Sequence, residues 1–207
     1  METFHVLTGK QTIFFRPLNE ADLSQLADWF ACFEDLALFD RGLPIPVSRE
    51  FVIESWKPAL QYSDPPKSFW YLAEDEAGQP IGTCGIQSIN YIHGDAVVPL
   101  FVAQEHRTKG FGSAMLCELI QLSFDQLRLH RLSTVYRANN GATEKLIKNA
   151  GFEEEGRVRE GWYANGQHHD IVHVGLLKSE WPDKRQAIRE RLAKLPFELV
   201  MRSRLQV

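Results

Sequence analysis

The sequence predicts a mixed α/β fold in which helices flank a central, mostly antiparallel sheet. Runs rich in β-branched and aromatic residues alternate with segments whose apolar residues recur at helical spacing. The strands in the middle of the chain are separated by turns such as "EAGQ" and "HGD", which are short enough for antiparallel hairpins. The 207 residues contain no repeat, low-complexity tract or linker, so residues 1–207 are predicted to form a single domain.

The first third of the chain predicts one strand followed by two helices. The strand covers 12–18, and the first helix covers 19–33 with Asn19 as its cap. The second helix covers 48–60, and Ser48 is its predicted cap. Its predicted buried residues are Phe51, Ile53, Trp56 and Leu60. Between the helices, residues 34–46 form a predicted loop with apolar content, and we expect this loop to border a substrate.

The rest of the chain continues the alternation. The predicted elements are strands at 68–75, 80–92 and 96–103, a helix to about 127, a strand at 131–137, a helix at 141–150 and a hairpin turning at Asn165–Gly166. Gly151 is predicted to end the helix at 141–150 as a left-handed cap. A charged helix from about Asp183 is predicted as an extra packing element or a dimer contact.

Composition excludes several classes of function. The formal charge is -4, and the charged residues are intermixed, which favours neither nucleic acid nor a membrane surface as a partner. Cys32, Cys84 and Cys117 lie far apart and are predicted to be buried free thiols rather than disulfides or zinc ligands. The sequence shows neither a signal-peptide pattern nor a long apolar span, so a cytoplasmic protein is expected.

The stretch "RTKGFGS" at 107–113 predicts an anion site. It joins an apolar strand to a helix, where backbone N–H groups of the first helical turn can converge on phosphate. Gly110 and Gly112 allow a close approach of the backbone, and Arg107 and Lys109 add positive charge. The alternative is a loop that only turns a corner. Its spacing matches neither the dinucleotide fingerprint nor the Walker A loop.

With Arg107, Gly110 and Gly112 spaced as Arg-x-x-Gly-x-Gly, the sequence resembles the GCN5-related N-acetyltransferases (GNAT). A second signature of that family is matched in the right order by Asn140, Thr143, Leu146, Gly151 and Phe152. The resemblance is finer to the branch that includes ribosomal-protein N-terminal acetyltransferases and spermidine acetyltransferases. It covers about Thr12 to Trp181, which leaves 182–207 as a C-terminal helical tail.

The resemblance implies a binding site for acetyl-CoA, with the loop on the pyrophosphate and the preceding strand paired with the pantetheine arm between splayed strands. The implied cofactor-binding residues are Phe101, Val102, Ala103, Arg107, Thr108, Lys109, Gly110, Phe111, Gly112, Ser113, Asn140 and Lys145. Asn140 could instead only cap its helix, and Lys145 could be a solvated lysine. Pro99 supports an interrupted strand ladder just before this region.

The resemblance also implies direct attack of an amine on the thioester, with a backbone N–H near Val102 as the oxyanion donor. The family's usual glutamate base corresponds to Val97 and its usual tyrosine acid to Ile147. His93 and Glu34 are therefore candidate proton carriers, with plain surface residues as the alternative. The run "HHD" at 168–170 predicts no metal site, because adjacent strand residues point to opposite faces.

These features predict an N-acetyltransferase that acts on a peptide or protein α-amine. An amine with a pKa near 10.4 is less than ~0.1% neutral at pH 7, whereas an α-amine near 7.7 to 8 is roughly 10% neutral, so a site without a strong base suits the α-amine better. The alternatives are a small amine, such as an amino sugar, an amino acid derivative or a polyamine, and an inert acyl-CoA-binding module. A homodimer is possible.

Overall fold

The computed structural model describes residues 10–39, 47–61 and 63–201. Within them the chain forms nine strands and six α-helices. These are β1 (Gln11–Pro17), α1 (Leu23–Phe30), α2 (Phe33–Phe39), α3 (Arg49–Leu60), β2 (Phe69–Glu74), β3 (Pro80–Asn90), β4 (Asp95–Val97), β5 (Leu100–Val102), α4 (Phe111–Gln121), β6 (Arg131–Arg137), α5 (Gly141–Asn149), β7 (Glu153–Ala164), β8 (Gln167–Leu177), α6 (Trp181–Leu192) and β9 (Phe197–Met201).

The described strands form one sheet in the order β7-β8-β6-β4-β3-β2-β1-β9, and β5 also pairs with β3. Neighbouring strands are antiparallel except for two parallel pairs, β4 with β6 and β1 with β9. The predicted mixed fold with a mostly antiparallel sheet is therefore confirmed. The turn at Asn165 and Gly166 has positive φ at both residues, as a two-residue hairpin requires.

The sheet opens where β4 gives way to β5. The parallel pairing of β4 with β6 reaches Ser133, whose carbonyl accepts a hydrogen bond from Val98 N at 3.0 Å. Beyond that point β5 pairs only with β3 among the described strands, and residues 134–137 of β6 pair only with β8. We call the resulting gap between β5 and residues 134–137 the cleft. It corresponds to the splay that the sequence predicts beyond Pro99.

Two hydrophobic clusters cover the two faces of the sheet. The larger cluster contains Met115, Ile120 and Ile147 from α4 and α5, and this side is called the α4 face. The other contains Leu26, Phe30 and Val52 from α1 and α3, and this side is called the α1 face. Because side chains alternate along β5, Leu100 and Val102 belong to the α4 face, whereas Phe101 and Ala103 belong to the α1 face.

The helices before β2 differ from the prediction in two ways. The segment predicted as one helix is divided into a 3-10 turn at Glu20–Asp22 and α1, and the predicted loop from residue 34 begins inside α2. Residues 40–46 of that loop lie outside the described residues. Asn19 and Ser48 act as side-chain caps, as predicted. The predicted buried side of α3 is partly wrong, since Phe51 is 50% exposed and Val52 is buried instead.

The tail is an extra packing element and is not helical throughout. The helix α6 lies against α4, where Arg185 and Arg189 donate to Gln121 Oε1 at 2.8 and 3.0 Å. Past Leu192 the helical prediction is wrong, because β9 adds a parallel strand beside β1. Residues 197–201 form a strand because they pair with the distant β1, which the local sequence pattern does not indicate.

Candidate active site

The loop at 107–113 leads into α4 with the geometry that an anion site needs. Gly110 precedes the helix with φ of 96°, and Thr108 also has positive φ, at 64°. The N–H groups of residues 108–113 find no acceptor within the described part of the chain. Free N–H groups at a helix N-terminus attract anions such as phosphate. The loop therefore fits a pyrophosphate group.

Arg107 points away from this loop in the structure. Its Nε donates to Val102 O at 3.0 Å, and its Nη2 donates to Asp35 Oδ1 at 2.6 Å. The guanidinium also lies over the Phe101 ring, 5.6 Å from the centroid. The side chain thus ties the turn after β5 to α2 on the α1 face. Its predicted contact with pyrophosphate stays a prediction, and it would require the side chain to turn toward the loop.

The free edge of β5 presents the backbone of Val102 to the cleft. Ala103 N donates to Ile81 O on β3 at 3.0 Å, and Gly85 N on β3 donates to Pro99 O at 3.1 Å. Since successive residues of a strand direct their N–H and C=O groups to opposite sides, the Val102 groups point away from β3. Of the three predicted backbone positions, Val102 alone therefore offers its N–H to the cleft.

Gly112 packs close to β5 and α5 on the α4 face of the cleft. A Cβ atom placed on Gly112 would lie 3.5 Å from Val102 Cγ2, 3.6 Å from Leu146 Cδ2 and 3.7 Å from Leu100 Cδ2. These are ordinary contact distances, so the space between Gly112 and these side chains holds a methyl group but nothing larger. The absence of a side chain at Gly112 therefore keeps the start of α4 close to β5.

The other predicted cofactor residues have mixed placements. Phe111 is buried and its ring packs at a tilt against that of Phe197 of β9, with ring centroids 4.4 Å apart, so only its backbone faces the loop. Asn140 caps α5 by accepting a hydrogen bond from Thr143 N at 3.1 Å. Lys145 and Lys109 are exposed. Ser113 lines a cavity of about 160 Å³ between α4, α5 and the tail.

The predicted proton carriers receive little support from the geometry. Ile147 is buried in the main core, and Val97 is paired in the sheet with Ser133. His93 lies in the turn before β4, nine residues ahead of Val102 and at the opposite end of that strand segment. A proton carrier must come within hydrogen-bonding reach of the reacting amine, and this placement does not provide it.

Glu34 lies in the first turn of α2 and is exposed. Hydrogen bonds from its own backbone N–H and from the Cys32 thiol lower the pKa of this carboxyl group. A general base at neutral pH works best with a pKa near 7, so this shift goes in the unhelpful direction. The role of Glu34 stays a prediction. In the described part of the chain, the carboxyl group with a raised pKa is that of Glu118, which burial raises and which lies on α4 toward the tail.

Other predicted groups have structural contacts. Asp170 Oδ1 accepts a hydrogen bond from Glu160 N at 3.0 Å, as expected of a structural acceptor. The rings of Tyr163 and His168 are in contact near the tip of the hairpin, with centroids 5.0 Å apart. Among the described residues no group of three or more metal-ligating side chains converges. No helix among them is long and apolar enough to cross a membrane.

Sequence reasoning missed three parts of the site. The pairing of Asp35 with Arg107 was not predicted, although Asp35 is 6% exposed and its carboxylate accepts a hydrogen bond from Arg107. Arg137 was not singled out, and it is 7% exposed at the end of β6. Leu195 of the tail lies against the loop, since a Cβ on Gly110 would come 2.6 Å from Leu195 Cδ2. The one sequence signal for a packed helix at α2 is the set of apolar residues in the segment "DLALF".

Free N–H groups at a helix N-terminus beside a free strand edge are the features expected of an acyl-CoA-dependent transferase. Comparison with known families agrees. Residues 12–153 match the model of the acetyltransferase (GNAT) domain. The chain belongs to this family, and it is an N-acetyltransferase that uses acetyl-CoA as donor. The predicted resemblance is confirmed.

Relatives extend the comparison. The chain is 32% identical over 133 residues to YdaF of Bacillus subtilis, named as a ribosomal N-acetyltransferase, covering 64% of this chain and 70% of that one. It is 31% identical over 111 residues to a spermidine N(1)-acetyltransferase of Vibrio cholerae, covering 54% and 64%. The match thus spans less than two thirds of that enzyme.

A solved structure shows the same fold. The spermidine N-acetyltransferase of Vibrio cholerae, in complex with CoA and spermine, superposes with a TM-score of 0.73 at 24% identity. The match covers 82% of this chain and 98% of that chain. At this identity the likeness concerns the fold, and the acceptor of the present enzyme has to be inferred from its own residues.

Proposed function

We propose that the enzyme acetylates the α-amine of a peptide or protein. The observation that carries the proposal is that apolar residues, Val97 and Ile147, occupy the positions of the family's usual glutamate base and tyrosine acid. The candidate base Glu34 is exposed, and hydrogen bonds lower the pKa of its carboxyl group. Without a strong base, the acceptor amine has to be partly neutral in solution already, and an α-amine meets this condition far better than a polyamine nitrogen.

The cleft supports direct transfer. The free N–H groups of 108–113 would hold the pyrophosphate, and the pantetheine arm would extend from there into the cleft along the free edge of β5. The Val102 N–H would donate to the oxygen of the thioester as the amine attacks and negative charge develops there. The C–N bond forms, the C–S bond breaks, and water can take the proton from the amine while the thiolate leaves.

The relatives divide between two acceptor classes. YdaF is named for a ribosomal acceptor, and the Vibrio cholerae enzyme is named for spermidine. A polyamine acceptor is therefore the second candidate. Self-association into a homodimer stays a prediction.

The proposal is tested by measuring CoA thiol release with a panel of acceptors and by weighing the products for one added acetyl group. The central comparison uses one lysine-containing peptide with a free N-terminus and the same peptide with a blocked N-terminus. We expect turnover of the free peptide and background rates for the blocked one. Turnover of spermidine or an amino sugar with inert peptides would overturn the proposal.

A further inference from the structure

Arg137 and Val102, the predicted oxyanion donor, lie on the two strands that border the cleft, β6 and β5. The last hydrogen bond before the two strands diverge joins Val98 N to Ser133 O at 3.0 Å. Val102 lies four residues beyond Val98 on β5, and Arg137 lies four residues beyond Ser133 on β6. Because residues of neighbouring strands advance by about the same 3.3 Å, the two positions lie at similar depth.

The Arg137 side chain lies on the α1 face of the sheet, opposite the face that α4 and α5 cover. Its neighbour Tyr136 belongs to the core on the α4 face, so Arg137 points the other way. Its register partner on β8 is Ile171, which shares its face and clusters with Ala37 of α2 and Trp162 of β7. The Arg137 side chain therefore lies on the same face of the sheet as Ile171, Ala37 and Trp162, on the side away from α4 and the anion loop.

The guanidinium is buried without a carboxylate partner. Arg137 is 7% exposed, its Nε donates to Asn139 Oδ1 at 2.7 Å, and its Nη1 is buried with no hydrogen-bond partner. No carboxylate of the described residues forms an ion pair with it, and burial lowers its pKa. Arg16, which is equally buried, has both Asp22 and Glu74 as partners at 2.8 Å.

An unpaired buried charge is costly, and a ligand with an anionic group would supply the missing partner and offset that cost. A guanidinium is suited to a carboxylate, which it binds through two parallel hydrogen bonds. On this face of the cleft, the ligand that reaches Val102 is the acceptor, since acetyl-CoA enters from the α4 face.

We infer that Arg137 binds a carboxylate of the acceptor, close to the amine that is acetylated. The inference rests on the proposed function and narrows it to acceptors with an anionic group near the amine. Two sources share this chemistry: an acidic side chain near a peptide N-terminus, and the α-carboxylate of a free amino acid. A polyamine fits poorly, because its second ammonium group would meet an unpaired guanidinium.

The first test compares acceptors on the wild-type enzyme. The peptides differ only in their first residue, aspartate or asparagine, and free alanine is compared with its α-amide. We expect kcat/KM to be tenfold or more higher for the acidic member of the pair that the enzyme uses, and that pair identifies the source. Equal rates for both members would overturn the inference while leaving the proposed function intact, whereas inert peptides would count against the proposed function itself.

The second test uses variants. In Arg137→Gln the preference should disappear through a higher acceptor KM, with the KM for acetyl-CoA unchanged, and Arg137→Lys should retain part of it. The matched control is Arg159→Gln, which changes an exposed arginine of β7. A raised KM for acetyl-CoA in Arg137→Gln would overturn the inference, because the residue would then serve the donor.

A third measurement is independent of turnover. If the guanidinium of Arg137 serves to bind a ligand and does not stabilise the fold, replacing it by an apolar side chain of similar length removes a buried unpaired charge. The melting temperature of Arg137→Met should therefore be unchanged or higher than that of the wild type. A clear fall in melting temperature would show that the residue has a structural role, and it would overturn the inference even if no acceptor were found.

Discussion

Arg107 Nη2 lies 2.6 Å from Asp35 Oδ1, so a single ion pair joins the turn after β5 to α2. The same helix contacts the hairpin on the far side of the cleft, where Ala37 clusters with Trp162. α2 thus contacts both sides of the cleft, the turn after β5 and the β7–β8 hairpin. Arg107 also holds the carbonyl of Val102, the residue whose N–H is the proposed oxyanion donor.

Asp35→Asn should lower the free energy of unfolding by about 1 to 2 kcal/mol. The carboxylate is buried, but the Arg107 side chain is 36% exposed, which reduces the effect below that of a fully buried pair. Urea unfolding measures the change. Glu34→Gln is the matched control on the same helix, where an exposed carboxylate should matter little. Equal effects of the two substitutions would contradict the proposed fastening of α2.

Gly112→Val should weaken CoA binding tenfold or more, or about 1.4 kcal/mol. The valine methyl groups would extend from the Cβ position into the space bounded by Val102 and Leu146. Gly112→Ala is the control, because a Cβ alone meets only ordinary contacts there. Calorimetric titration with CoA measures both. If the Gly112→Val protein is folded and binds CoA with wild-type affinity, CoA does not bind beside Gly112.

Gly110→Ala should destabilise the protein by about 1 to 3 kcal/mol, because φ is 96° and the new Cβ would overlap the Leu195 side chain. Combining it with Leu195→Ala should cost less than the sum of the two single changes, since the overlap disappears while the backbone strain remains. Thermal and urea unfolding of the four proteins give the coupling energy. Strict additivity would show that the tail does not press on the loop.

One thiol should react much faster than the other two in the folded protein. Cys84 and Cys117 are buried, which raises both thiol pKa values, that of Cys117 to about 11. Cys32 is half-buried beside Glu34. Labelling with a chromogenic disulfide should show one rapid phase that is lost in Cys32→Ser. Loss of that phase in Cys117→Ser instead would contradict the packing of α4 against the tail.

The pH dependence of kcat/KM should follow the acceptor amine. If the enzyme supplies no base, the rate rises as the α-amine loses its proton and levels off above its pKa of roughly 7.7 to 8. Peptides whose amines have lower pKa values should shift the midpoint downward by the same amount. A midpoint that stays fixed across such peptides would instead indicate a titrating group on the enzyme.

The local signals in the sequence were sufficient for much of the fold. The caps at Asn19 and Ser48, the left-handed Gly151 and the limits of β6 depend on neighbouring residues, and the structure has them as predicted. The glycine-containing turn before α4 was predictable for the same reason, since its glycines and the following helix are contiguous.

What the sequence could not show depends on distant partners. The ion pair between Arg107 and Asp35 joins residues 72 positions apart, and neither residue type indicates the other. Arg137 lies within a strand that was predicted correctly, but its burial depends on residues far from it in the sequence. The exposure of Phe51 likewise reflects which side of α3 meets α1, which helical spacing alone leaves open.

The parallel pairing of β1 with β9 affects the order in which the protein can fold during translation. Gln11 pairs with Phe197 and Phe15 with Met201. The ribosome must therefore synthesise the chain through Met201 before β1 can gain its second neighbour. Pairings over such long sequence distances form late. Until then the nascent chain presents β1 as a free edge, and Leu195 has not yet packed against Gly110 in the loop at 107–113.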